Sequence, residues 1–230
     1  MNQKKVYQWL GWSPLLFSLL CFCIYPIHWY FFFEILTPED GIIEYLTAIF
    51  AFAAGFISIG LGFYYFKRKE MVTAFILFCY AAGCIFLAGE EISWGQRIFD
   101  IKVEDVSAWL AEKNRQEELN LHNIAGFAQI RLLADAFCLI WGITIPWRYQ
   151  VDTFPIRWLR PFFIPSWLIP GFVTTIFITW PQKISEAIFD EIQWVCELRL
   201  GEFKELCFSL VCLLFSLHLL RSRKSTSLIE

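Results

Sequence analysis

Apolar runs of about 20 residues recur from one end of this 230-residue chain to the other, and that recurrence most narrows what it can fold into. A run of that length, wound as an α-helix, matches the hydrocarbon thickness of a bilayer, about 30 Å. In lipid every backbone N–H and C=O needs an internal partner, which leaves only helices and closed barrels. The runs are too long and continuous for the alternating strands of a barrel. Hydrophobic residues make up 57% of the chain and aromatic residues 19%, whereas soluble chains are about half apolar. The expected class is therefore all-α. It is one polytopic membrane bundle over residues 1–230, with no separate soluble domain.

Six spans fit the pattern, at about 14–35, 43–66, 71–92, 127–147, 161–180 and 203–220. Pro165 and Pro170 predict that the fifth is kinked or begins late. Lys4 and Lys5 followed by an apolar run resemble a signal peptide. The run is long, has no small-x-small cleavage site and is followed by more spans, so it is read as a retained first helix.

The charges sort by side. Lys4, Lys5, Lys67, Arg68, Lys69, Arg148, Arg157, Arg160, Arg221, Arg223 and Lys224 share one side, opposed only by Glu70, Asp152 and Glu230. That side carries +8 and the remainder −11, which together give the net charge of −3. The positive-inside rule makes the first side cytoplasmic, and six spans then place both termini there. The expected location is a cell membrane, the inner membrane of a bacterium. Membrane lipid is the expected contact, and no nucleic-acid partner is expected.

The outer side is consequently acidic. Its loop over 93–126 is too long for a plain connector. Val106, Trp109 and Leu110 suggest a short interfacial helix capped by Asp105. Over 182–200, Ile184, Ile188, Ile192 and Val195 share one helical face, with Glu186 and Asp190 off it. This segment is expected to lie along the outer surface. The eight cysteines fit neither a zinc knuckle nor a disulfide framework and read as packing residues.

Arg131 and Asp135 lie one turn apart inside the run 127–147. Charges at bilayer depth cost roughly 2.5–3.5 kcal/mol each on insertion scales and usually face the protein interior. Either the two neutralise each other as packing glue, or a site uses them. Asp135 is eight residues into its span, a depth of roughly 12 Å.

The heptad pattern extends this picture. Glu44, Ala48, Ala51, Gly55, Ser58 and Gly62 share one face of the second span. Ala74, Ala81, Cys84, Ala88 and Glu91 share one face of the third, with Leu77 as the large exception. Ala128, Arg131, Asp135, Cys138 and Gly142 do so in the fourth, and Glu202, Glu205, Ser209, Cys212 and Ser216 in the sixth. Small residues on one face let membrane helices approach closely. Each stripe bears an acid toward its outer end. Convergence of the stripes would gather Glu44, Glu91, Asp135 and Glu202 or Glu205 beneath the outer surface, with Arg131 as counter-charge. Singly, such acids are also ordinary solvated residues at span ends.

Two polar motifs flank the outer loop. Gly89-Glu90-Glu91-Ile92-Ser93-Trp94-Gly95-Gln96-Arg97 closes the third span, with Trp94 as an interfacial anchor between Glu90 and Arg97 on one helical face. Asn120-Leu121-His122-Asn123 opens the fourth, with an asparagine as N-cap and His122 at the mouth of the proposed site. Histidine with carboxylates suits zinc or iron, and carboxylates with amides suit calcium, magnesium or manganese. The expected metal ligands are Glu44, Glu91, His122 and Asp135. Glu90 is the expected general base, Glu91 a base or ligand, and Arg131 holds Asp135 ionised or meets an anionic headgroup. A lone loop histidine is also commonly a surface or hydrogen-bonding residue. His28 is a further candidate imidazole, and His218 lies on the wrong side.

Two membrane hydrolase families differ from this chain at the decisive residues. The CAAX-processing glutamate proteases carry Glu-Glu-x-x-x-Arg and two histidine motifs. Here Gly95 stands at the arginine position, Arg97 is displaced by two, and the histidine motifs are missing. The alkaline ceramidase and adiponectin-receptor superfamily needs three zinc histidines at one level, and this chain has only three in total. The combination of Glu39-Asp40-Gly41-x-x-Glu44, Gly89 to Arg97 and Asn120 to Asn123 resembles an uncharacterised family of bacterial multi-pass membrane proteins. The resemblance covers roughly a third of the chain, carries no activity with it and implies a bacterial inner membrane.

Three functions follow as expectations. The first is a metal-dependent hydrolase or transferase acting on a lipid-linked or outer-leaflet substrate, with a divalent metal as cofactor. The second is a proton- or cation-coupled transporter, since intramembrane acids are typical of such pathways. The third is a non-catalytic assembly partner that docks another protein through its outer acidic loop.

Overall fold

Proline decides where the helices of this chain run unbroken. The computed structural model describes residues 3–96, 99–106, 128–188, 195 and 197–226. Among them the regular structure is helical, with no strand. The three longest helices contain no proline: α3 (Ile42–Lys67), α4 (Met71–Glu91) and α9 (Leu200–Thr226). Proline-bearing stretches are shorter or interrupted. α1 (Gln3–Phe22) carries Pro14, which has no N–H to offer Leu10. The Ser13 hydroxyl donates to that carbonyl instead, at 2.7 Å.

The rest follows in chain order. The turn at 23–27 contains Pro26 and leads into α2 (Trp29–Phe31), which continues in wider turns over Phe32–Leu36. The short α5 (Val103–Val106) follows the exit from α4. α6 (Ala128–Phe137) continues through a wider helical stretch, Cys138–Thr144, and a final turn, Ile145–Arg148. Tight turns at Arg157–Phe162 and Ser166–Leu168 precede α7 (Ile169–Phe177) and α8 (Trp180–Ile188). Among the described residues, four helical runs are long and apolar enough to cross a membrane: Ile42–Lys67, Met71–Glu91, Trp158–Ile188 and Leu200–Arg223.

The small-residue stripes are where the helices meet. Ala48, Ala51, Gly55, Ser58 and Gly62 of α3 are all buried, as are Ala74, Leu77, Ala81, Cys84 and Ala88 of α4. A Cβ on Gly55 would stand 2.8 Å from Ile85 Cγ1 and 3.3 Å from the Ala81 carbonyl, so the antiparallel α3–α4 pair approaches closely here and a larger residue would displace Ile85. α9 runs parallel to α3: Ile43 packs with Phe203 and Leu206, and Ala54 packs with Cys212. Further along, the Ser58 and Ser216 hydroxyls are 3.2 Å apart. Tyr80 ties α4 to α9 by donating to the Cys212 carbonyl at 3.0 Å. α7 packs against α9, α1 and the wider helical stretch Cys138–Thr144. α1 crosses the Ser166–Leu168 turn so closely that a Cβ on Gly11 would lie 1.7 Å from the Trp167 carbonyl oxygen.

Several expectations change. The first helix does not run over 14–35. It begins ten residues or more earlier and stops at Phe22, because Pro26 cannot continue a helix and restricts Tyr25 before it. Asp105 does not cap a helix at Val106 but lies inside α5; Trp109 and Leu110 lie outside the described residues. The fifth span does begin late, with regular α-helix only from Ile169 and Pro170 in its first turn. The last helix continues past 220 to carry Arg221 and Arg223, where cations favour a helix C-terminus. In α8, Ser185 is buried while Ile184 and Ile188 face outward.

Candidate acidic site at one end of the helix bundle

Because α4 runs against α3 and α9 runs with it, their acidic ends coincide. The first turn of α3 brings Glu44, the last turn of α4 brings Glu90 and Glu91, and the first turns of α9 bring Glu202 and Glu205. Ala88 of α4 packs on Ala48 and Ala51 of α3, which fixes this register one turn below the acids.

Glu90 and Glu91 are the most enclosed of these acids, 4% and 5% exposed. A buried carboxylate needs hydrogen-bonding or charged partners. The Trp94 indole N–H donates to Glu90 Oε1 at 2.7 Å. Trp94 reaches it because the chain reverses sharply after α4. Ser93, Trp94 and Gly95 have φ of 45°, 53° and 79° in succession. Left-handed backbone costs about 1–3 kcal/mol at each non-glycine position and persists where the surroundings over-determine it. The Trp94 ring folds back onto Gly89 and meets Phe86 at 5.7 Å. The expectation of Glu90 and Arg97 on one helical face with Trp94 between them is changed: the helix ends at Glu91, the Trp94 contact is made by a reversal, and Arg97 lies outside the described residues.

Asp135 sits in an ion pair that joins two helices. Lys204 Nζ of α9 lies 2.6 Å from Asp135 Oδ1 and 2.8 Å from Oδ2, so the ammonium spans both carboxylate oxygens. The pair is half-enclosed, with side chains 29% and 20% exposed. Lys204 was missed in the sequence. It is the one lysine or arginine between Arg199 and Arg221 and sits near a helix N-terminus, where the macrodipole disfavours a cation. A lysine in that position calls for an acid partner, and that was the legible signal. The side chain of Arg131 is not among those described, although its backbone lies in α6.

Glu44 accepts a hydrogen bond from the Asp40 backbone N–H, reaching back over the start of α3. Near the same end, Tyr25 donates to Glu197 at 2.8 Å and Arg199 to the Thr37 carbonyl at 2.8 Å. These bonds tie the approach to α9 onto the α1–α3 connection. His28 is exposed and caps α2, its Nδ1 accepting from the Phe31 N–H at 3.1 Å. His218 stands at the opposite end, 6.0 Å from the Trp167 ring.

Among the described residues no three of His, Cys, Asp and Glu gather as a metal-ligand set. His122 and Arg97, with Asn120 and Asn123, lie outside the described residues. The described cysteines other than the exposed Cys23 and Cys79 are buried thiols, as packing residues would be. What the arrangement offers chemically is an oriented, enclosed carboxylate beside a second one, able to take a proton from a hydroxyl or water. No protein-family model matches the chain, and neither curated proteins nor solved structures give a match.

Proposed function

We propose that the chain is a six-span inner-membrane protein with both termini cytoplasmic. Its outward end would hold an acidic site acting as a hydrolase or transferase on a lipid-linked or outer-leaflet substrate. The observation that carries this reading is the adjacent pair Glu90–Glu91, both enclosed, with Glu90 oriented by Trp94 in a strained turn. Strained backbone and enclosed ionisable groups concentrate at functional sites. In this reading Glu90 is the general base. It accepts a proton from the attacking water or hydroxyl and returns it to the leaving group. A divalent cation is the cofactor such acids would recruit, with Glu44, Glu91 and His122 as ligands. Asp135 already faces the ammonium of Lys204, which makes it a poorer ligand than the others.

The other end of the helix interface is lined by Leu61, Leu77, Val211 and Phe215. That apolar packing favours a one-sided site over a path across the bilayer. The test compares lipid extracts of cells producing wild type or Glu90→Gln at equal membrane levels, read by mass spectrometry. A lipid or lipid-linked species altered by wild type and restored in the variant supports the reading. Indistinguishable extracts refute it.

A further inference from the structure

We infer that the end opposite the acids carries a binding site for an anionic glycerophospholipid, set between α1 and the Ser166–Leu168 turn. The inference rests on the membrane reading above but not on the acidic site. A groove of about 380 Å³ is lined there by Tyr7, Gln8, Trp12, Ser166, Trp167 and Pro170. It adjoins a larger, more open hollow bounded by Lys5, Trp9 and Leu16 that shares Gln8 and Trp12. This volume lies in the ordinary range for small-ligand sites, about 300–1,000 Å³.

The walls are fixed by aromatic and cationic contacts between three elements. Tyr7 packs on Trp167 at 5.2 Å, and Trp167 packs on His218 at 6.0 Å. The Arg221 guanidinium lies 5.5 Å from the Tyr7 ring. Lys5 bounds the adjoining hollow and Arg221 lies against the Tyr7 ring, so two cations stand beside a largely apolar groove whose lining offers an amide, two hydroxyls and two indole rings. That is the chemistry of a phosphate headgroup site, with charge complementary to the ligand.

The order of side chains along α1 identifies the ligand as a lipid rather than a free phosphate. Lys5 comes first, then the exposed Trp9 and Trp12, then the exposed Leu16, Leu19 and Leu20. Charge, aromatic belt and aliphatic surface follow one another over about 22 Å of helix. That sequence matches the headgroup, interface and acyl chain of a phospholipid. Gly11 holds the site together, since the 1.7 Å clearance for a Cβ brings α1 onto the Trp167 carbonyl.

The test uses full-length protein in vesicles, after carbonate extraction has shown insertion. Failure to insert would sink the membrane reading itself. Inserted protein is then exchanged into detergent and titrated with phosphatidylglycerol or phosphatidylcholine, with binding read by native mass spectrometry. At least a tenfold preference for phosphatidylglycerol is expected in wild type, lost in Lys5→Ala/Arg221→Ala and kept in Lys67→Ala/Lys69→Ala. Gln8→Trp, which fills the groove and leaves both cations, should abolish binding as well and serves if the double variant misfolds. Equal affinity for the two lipids overturns the site. So does an undiminished preference in Gln8→Trp, or an equal loss in the Lys67/Lys69 control, which would mean diffuse attraction to a basic surface.

Discussion

Replacing Lys204 by Met and Asp135 by Asn, singly and together, measures how strongly α6 is held to α9. The ammonium contacts both carboxylate oxygens, at 2.6 and 2.8 Å. Exposed pairs contribute about 0–1 kcal/mol, and removing one partner of a fully buried pair costs about 3–5 kcal/mol. The side chains are 20% and 29% exposed, so this pair falls between, at a coupling of about 2 kcal/mol. Each single variant leaves its partner half-enclosed without that contact, and a chain of this size should lose about 4–8 °C in Tm. The double variant removes both charges and should melt no lower than the worse single. The assay is thermal unfolding in detergent followed by intrinsic fluorescence, with the pairwise coupling read from the cycle. Additive losses, with coupling below about 0.5 kcal/mol, would refute the claim that this pair joins the two helices.

Three further outcomes follow from the same geometry. Gly11→Ala should destabilise by about 3 kcal/mol or more, the upper end for overpacking, because the obstructing atom is a backbone carbonyl; thermal unfolding checks it. Trp94→Phe keeps the ring over Gly89 but deletes the donor to Glu90, and should cost about 1.5–3 kcal/mol, the range for hydrogen bonds to charged groups; wild-type Tm in that variant would show that the indole N–H does not matter. Purified wild type should retain a divalent metal that Glu91→Gln loses, measured by elemental analysis, and a metal-free wild type would leave Glu90 to act without a cofactor.

Much of the bundle was legible in the sequence because membrane helices obey few rules. Length and hydropathy located α3 and α4 to within a residue at each end. The spacing of Ala, Gly and Ser named the faces that meet. The places of Glu44, Glu91, Glu202 and Glu205 at helix ends followed from the same count. The strained reversal at Ser93–Gly95 was not legible, since nothing local compels a serine and a tryptophan into left-handed backbone. The reversal is accompanied by tertiary contacts of Trp94 with Gly89, Phe86 and Glu90. The break at Pro26 was visible as a residue but was overridden by the apolar run around it.

By itself the sequence determined the helical class, the places of the charge clusters along the chain and the faces on which small residues lie, because these depend on periodicity and composition along one chain. The tertiary structure decided which partners those faces take. It set α9 parallel to α3, and so brought Glu44, Glu90, Glu91, Glu202 and Glu205 to one end. It gave Asp135 to Lys204, 69 residues away, a pairing that no local spacing could indicate. Contacts of that kind depend on the register between helices, and register is settled only when glycine and alanine stripes close against each other.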